Sequence, residues 1–153
     1  MFSKYPNYKF IGIDNCNEFI KQCQSKNLNV VKSDMTNIPL ENSSADIIIS
    51  IASFHHLSSR ERRIKALLEM KRLIKNNGKI LLSVWSINQP EKLKKKRAFK
   101  YGYNLVKWHL SKTEALDRYY YIFKLDELEK LFQSVGLYIE KHFWEYGNEI
   151  FVL

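Results

Sequence analysis

Three short apolar runs stand out in the first half of the chain, at residues 10–13, 29–32 and 45–53, the last reading ADIIISIAS. Their apolarity is continuous rather than alternating, which is the pattern of strands buried on both faces of a parallel sheet. A fourth run, KILLSVW, occupies residues 79–85. Between the runs the period becomes helical. Residues 16–26 put Phe19, Ile20 and Cys23 on one face, and residues 59–75 do the same with Ile64, Leu67, Leu68 and Ile74. Ser58-Ser59-Arg60-Glu61 fits a capping box at the start of the second helix, and Asn76-Asn77-Gly78 predicts a left-handed stop at its end. Strand, helix, strand, loop, strand, helix, strand is the alternation of a doubly wound α/β sheet.

Beyond residue 85 the pattern loosens. Residues 86–118 hold the basic run KLKKKRAFK (92–100) and interleave Tyr101, Tyr103, Trp108 and His109. Weak periodicity there predicts a long surface insertion with some helix. Order returns where Asp126 is placed to cap a helix bearing Leu128, Leu131, Phe132 and Val135, stopped by Gly136. A strand from Leu137 to about Glu145, a Gly147-Asn148 turn and a last strand Glu149–Leu153 predict a terminal antiparallel hairpin. The expected organisation is one domain, with βα units over 1–85, the insertion over 86–118 and a helix with hairpin over 119–153. A length of 153 residues and 45% hydrophobic content suit a single core.

Charge adds a partner to this picture. Lys and Arg number 25 against 16 Asp and Glu, a formal charge of +9, which favours polyanions and nucleic acid first. A Lys- and Asn-rich surface can also follow from genomic base composition alone. Cys16 and Cys23 are too few and too badly spaced for a zinc site or disulfide framework, and reduced, buried thiols are expected. No apolar run approaches the roughly 18–20 residues that span a bilayer, and MFSKYPNYKF lacks the apolar centre of a signal peptide, so the expectation is an intracellular, soluble protein with no membrane partner.

The chemistry begins at strand ends. FIGID closes on Asp14 and VVKSD on Asp34. In open α/β sheets ligands bind beyond the carboxyl ends of strands, where an acid can take both hydroxyls of a ribose. An acid there can equally cap the next helix. The third strand runs straight into His55-His56 and then a burst of serine and arginine, as ISIASFHHLSSRERR.

GID, SDM, IPLENSSADIIISIASFHHLS, a helix opening with Arg62-Arg63 and containing EM (69–70), and NNGKILLSVW together resemble the later part of a class I S-adenosylmethionine-dependent methyltransferase. More narrowly, SIASFHHLSSRERR with SVWSINQ, VKWHL and RYYYIFKLDELEKLF resembles the eukaryotic wobble-uridine tRNA carboxymethyl methyltransferases, a group that includes the methyltransferase domain joined to an AlkB-like oxygenase. Lys107 stands where that family usually has proline, and Tyr121 where it usually has histidine. The family's first strand and glycine-rich turn have no counterpart here, since glycines 12, 78, 102, 136 and 147 are all isolated. The resemblance therefore implies a Rossmann-like sheet lacking its central strand and the helix after it, read first as an incomplete sequence, with a degenerate protein or a partner that supplies the strand as the alternatives. It also implies weak or no binding of S-adenosylmethionine by this chain alone.

By the same resemblance Asp14 holds the ribose of the cofactor, Asp34 and the Met35 amide meet the adenine, and Ile51 to Ser53 line the floor under the sulfonium. The implied acceptor is the carboxylate of a carboxymethyluridine in tRNA. A carboxylate is ionised at neutral pH and needs no general base, only alignment and a dry pocket. His55 and Arg118 are the candidate catalytic pair. His56, Arg63, Trp85, Trp108, His109 and Tyr119 are candidate substrate contacts, with Tyr120 a further stacking surface. One histidine is expected to pack under the next helix while His55 faces the pocket. The implied partners are tRNA and a small zinc-binding adaptor protein, and the implied location is the cytoplasm, extending to the nucleus. A non-catalytic RNA-binding remnant or scaffold and a small-molecule class I methyltransferase are the alternative functions.

Overall fold

The computed structural model describes residues 5–94, 97–109, 111 and 114–153. Its elements run β1 (Gly12–Asp14), α1 (Asn17–Gln24), β2 (Val30–Lys32), β3 (Ala45–Ile51), a 3-10 turn (Phe54–His56), α2 (Arg60–Leu73), β4 (Ile74–Trp85), α3 (Glu91–Lys94), β5 (Gly102–His109), β6 (Ala115–Ile122), α4 (Leu125–Ser134), β7 (Lys141–Glu145) and β8 (Asn148–Val152). Strands β1 and β2 pair in parallel, as do β3 and β4, while β8 runs antiparallel between β4 and β7. The α/β class with its parallel strands and terminal hairpin is thus as expected. In hydrogen bonding, however, β1–β2 forms its own pair beside a four-stranded sheet ordered β3-β4-β8-β7.

The four-stranded sheet is covered on one face. Ile80, Leu82 and Val84 of β4 and Phe151 of β8 pack against Ala66, Leu67 and Met70 of α2 and against Leu128, Leu131 and Phe132 of α4. The stripe predicted for α4 is wholly buried, and Gly136 ends that segment at φ 70°. On the opposite face Ile47, Ile49 and Ile51 of β3 lie more than half exposed. The continuous apolarity of β3 therefore marks two apolar faces, of which one is packed.

Several boundaries move for local reasons. The N-cap of α2 is Ser59, whose hydroxyl accepts the Arg62 amide at 3.3 Å, one residue later than the capping box at Ser58 requires. The helix stops at Leu73 because Ile74 turns extended and opens β4, so Asn76-Asn77-Gly78 lies inside a strand. Gly78 is there for space: a Cβ would sit 2.6 Å from the Ile74 side chain and 2.8 Å from the Asp46 carbonyl oxygen. Lys124, not Asp126, is the N-cap of α4, and Asp126 falls in the first turn. Phe19 of α1 and Leu68 of α2 are exposed, and both cysteines are half-exposed rather than buried.

The largest departure is in 86–118. Instead of a loose insertion, β5 and β6 form an eight-pair antiparallel ribbon from Gly102↔Ile122 to His109↔Ala115. The ribbon crosses the expected 118/119 boundary. Of the basic run, residues 95 and 96 lie outside the described residues, as does Leu110 of VKWHL. No helix among the described residues is long and apolar enough to cross a membrane.

Candidate active site

The site forms where strand ends converge under the ribbon. Ala52, just past β3, takes a left-handed φ of 53°, rare for a residue with a Cβ. Its amide lies 3.2 Å from both the Ser83 carbonyl and the Ser83 hydroxyl of β4, which hold this step in place. The step ends the strand and throws Phe54-His55-His56 into the 3-10 turn. Phe54 drops into the core, stacked on Phe123 at 5.8 Å.

The two histidines are then distinguished by backbone groups. The Trp85 amide donates to His55 Nδ1 at 3.0 Å, so the proton of neutral His55 sits on Nε2. That Nε2 is buried without a partner among the described residues. His56 is the opposite: its Nδ1 lies 2.7 Å from the Tyr119 carbonyl oxygen, which can only accept, so the ring proton is on Nδ1 and Nε2 offers a lone pair. The rings meet edge to face with centroids 4.7 Å apart. Burial, then the neighbouring His56 and Arg118, lower the His55 pKa to about 3. Burial also lowers that of His56, the Tyr119 bond opposes it, and Arg118 adds to the lowering. Both rings are therefore neutral at physiological pH. His55 is fully buried and His56 the more exposed of the pair, the reverse of the exposure expected from the sequence, because the Trp85 amide and the Trp85 and Tyr120 rings hold His55 inward.

One face of the ribbon closes over them. Tyr120 lies 5.2 Å from His55, 4.4 Å from His56, and stacks parallel on Trp85 at 4.1 Å. Phe99 stacks on Trp85 at 5.3 Å, and the Arg97 guanidinium sits 4.3 Å from that ring. Trp85 is thus a wall already engaged by its neighbours. On the same ribbon face Arg118 lies over Trp108 at 4.9 Å and 5.9 Å from Tyr120, leaving Trp108 half-exposed. Arg97 escaped the sequence reading, although it is the one arginine among the lysines of KLKKKRAFK and a planar guanidinium stacks where an ammonium does not.

Arg63 and Tyr119 serve the frame. Arg63 is buried, donating from Nε to the Leu57 carbonyl at 3.1 Å and from Nη2 to the Tyr119 hydroxyl at 3.0 Å, with its plane 3.6 Å from the Tyr121 ring. Tyr119 in turn donates to the Ser58 carbonyl. These bonds seat the ribbon on the start of α2. His109 belongs to β5 by its backbone, and its side chain lies outside the described residues.

The acids occupy adjacent parallel strand ends, with the Ser33 amide donating to the Asp14 carbonyl at 2.9 Å. Asp14 Oδ1 accepts the Cys16 amide at 2.8 Å, while Oδ2 has no protein donor among the described residues. Asp34 is more heavily used: Oδ1 takes the amide and hydroxyl of Thr36 at 2.9 and 2.7 Å, and Oδ2 takes Arg62 at 2.7 Å. Burial pushes the Asp34 carboxyl up, but Thr36 and Arg62 outweigh it and hold it below the usual range. Arg62 is a second residue the sequence reading missed in this role. Ile51 is exposed at the end of β3, and the Ser53 hydroxyl donates to the Ile51 carbonyl at 3.1 Å. No cluster of metal-binding side chains occurs among the described residues.

The profile of a family described as a methyltransferase domain matches residues 1–82. An Encephalitozoon cuniculi protein named as a methyltransferase is 32% identical over 136 residues, covering 86% of this chain and 63% of its own length. The tRNA (carboxymethyluridine(34)-5-O)-methyltransferase of Arabidopsis thaliana is 40% identical over 86 residues, covering 56% of this chain and 21% of its own length. The chain thus spans less than two thirds of these curated relatives. Among solved structures, an S-adenosylmethionine-dependent methyltransferase from Methanosarcina mazei superposes with a TM-score of 0.75 at 16% identity, covering 93% of this chain and 79% of that one.

Proposed function

Since the chain belongs to the methyltransferase domain family, we propose that it methylates the carboxylate of a wobble carboxymethyluridine in tRNA, with S-adenosylmethionine as donor. The observation that carries this reading is the buried, unpaired Nε2–H of His55 beside the charge of Arg118. A neutral N–H and a guanidinium suit an acceptor that arrives as an anion and must be gripped without being protonated. Since Nε2 is closed off in this structure, the acceptor reaches it only by displacing a packed neighbour such as the Tyr120 ring. His55 stays neutral and cannot quench the carboxylate by giving up a proton. The Trp85–Tyr120 stack dries the rim, and Trp108 offers an exposed ring to a base.

The nucleoside half of the cofactor fits the strand ends. Asp14 Oδ2 is an open acceptor suited to ribose hydroxyls, and the Met35 amide, which has no acceptor among the described residues, suits an adenine ring nitrogen. Asp34 enters that contact only when Arg62 yields it. When bound, the cofactor supplies an electrophilic methyl on a sulfonium. The chain's own residues align the acceptor, exclude water and balance its charge. The name of the Arabidopsis relative supports the tRNA substrate, while a small zinc-binding adaptor as partner and a cytoplasmic or nuclear location are what the sequence resemblance in SIASFHHLSSRERR and RYYYIFKLDELEKLF implies.

The reading is tested by incubating the chain, with and without such an adaptor, with carboxymethyluridine-containing tRNA and methyl-labelled donor. The expected label is an ester, released as methanol by mild alkali. Alkali-stable label, or none in tRNA under conditions where the chain binds the donor, overturns it. The Arg62–Asp34 pair favours a second reading, a non-catalytic RNA-binding protein, which predicts tRNA binding with no label in either arm.

A further inference from the structure

Away from the histidines, the starts of α2 and α4 face each other across a cleft of about 440 Å³ lined by Arg60, Arg63, Lys124, Asp126, Glu127 and Lys130. The two acids are satisfied internally: Asp126 pairs with Lys130 at 3.3 Å, and Glu127 accepts the Tyr121 hydroxyl at 2.9 Å. Arg60 and Lys124 are exposed, and neither makes a close salt bridge among the described residues, their carboxylate neighbours Glu61 and Asp126 acting on them from farther off. The cleft lining thus sets four cations against two carboxylates, with Lys124 also acting on Asp126 and Arg60 on the neighbouring Glu61, and its positive excess is reinforced by the amide ends of two helices.

Aromatic rings continue from its rim. Lys124 lies 5.7 Å from the ring of Tyr101, and Tyr103 packs 5.3 Å from Tyr119, the residue that Arg63 holds. Tyr101 and Tyr103 are each half-exposed. Tyr103, Leu105 and Tyr119 share the ribbon face opposite to Tyr120 and Arg118, by their register. Cations beside exposed rings are the pattern for single-stranded nucleic acid, phosphates on the first and bases on the second.

We propose that this cleft is a second RNA contact, in which Arg60 and Lys124 take backbone phosphates of a single-stranded segment whose bases stack on Tyr101 and Tyr103. The proposal rests on the reading of tRNA as substrate. Because Tyr119 is bonded to Arg63 by its hydroxyl and to His56 by its carbonyl, RNA seated in the cleft bears on the active-site face of the same ribbon.

The test is tRNA filter binding across about 50 to 200 mM salt, comparing the wild type, R60Q/K124Q, and K26Q/K141Q as an equal charge loss elsewhere. The R60Q/K124Q variant is expected to lower the salt slope by about 1.4, two single-strand phosphate contacts, while K26Q/K141Q follows the wild type. A wild type without salt-dependent binding overturns the tRNA reading and the cleft together. Wild-type binding that both variants match, or weaken equally, overturns the cleft alone. Displacement by poly-glutamate as readily as by tRNA assigns the cleft to an acidic protein and overturns its assignment to RNA.

Discussion

Replacing His55 by asparagine is expected to lower methyl transfer about a hundredfold, the loss typical of one pre-aimed hydrogen-bond donor, while leaving the fold nearly intact. Asparagine Oδ1 reaches the place of Nδ1 and still accepts the Trp85 amide, but nothing replaces the unpaired Nε2–H. Glutamine makes the converse exchange. Its amide reaches the Nε2 position and can donate there, while the Trp85 amide loses its acceptor, at about 1–3 kcal/mol of stability. His55→Gln is therefore expected to transfer methyl better than His55→Asn and to unfold at lower urea. Initial rates on modified tRNA together with urea midpoints measure both. Equal rates for the two variants would show that the Nε2 proton has no role in transfer.

Acid should unfold the protein through the same ring. In the unfolded chain a histidine binds its proton near pH 6.5, whereas folded His55 resists it until about pH 3. Between those values the unfolded state holds more protons, so stability falls as pH falls, and above pH 6.5 this group contributes no slope. Full linkage gives about 1.4 kcal/mol per pH unit, or about 2 kcal/mol by pH 5. His56 adds to the same trend, its pKa being lowered as well. Urea midpoints of the wild type are expected to drop from pH 7 to pH 5, and those of His55→Gln to drop much less. Parallel curves would place the acid sensitivity elsewhere.

What could be read from the sequence follows how cleanly burial tracks polarity. The α4 helix was legible because Leu128, Leu131, Phe132 and Val135 are both apolar and buried. The ribbon was not, because there the relation inverts: Asn104 is buried, bonded to the Lys100 amide and to the Lys100 and Gly102 carbonyls, while Leu105, Trp108 and Leu116 stand exposed. No period marks such strands, and only their pairing with each other makes them strands. At the site, the acids at strand ends and the histidine pair were legible as residue types. Their division of labour was not, since it depends on Trp85 and Tyr119 backbone groups 30 and 63 residues away. Arg63 looked like a substrate contact because a charged residue on a helix is normally solvated, and its burial depends on two aromatic rings from β6 and the segment after it.

The Trp85–Tyr120 stack gives the chain an intrinsic optical reporter. One ring belongs to the sheet and the other to the ribbon, so their parallel contact at 4.1 Å exists only while the ribbon is seated. Trp108 and Trp144 are half-exposed and lie outside that stack. The near-ultraviolet dichroism of Trp85 thus records the seating of the substrate side in the unlabelled protein, independently of turnover.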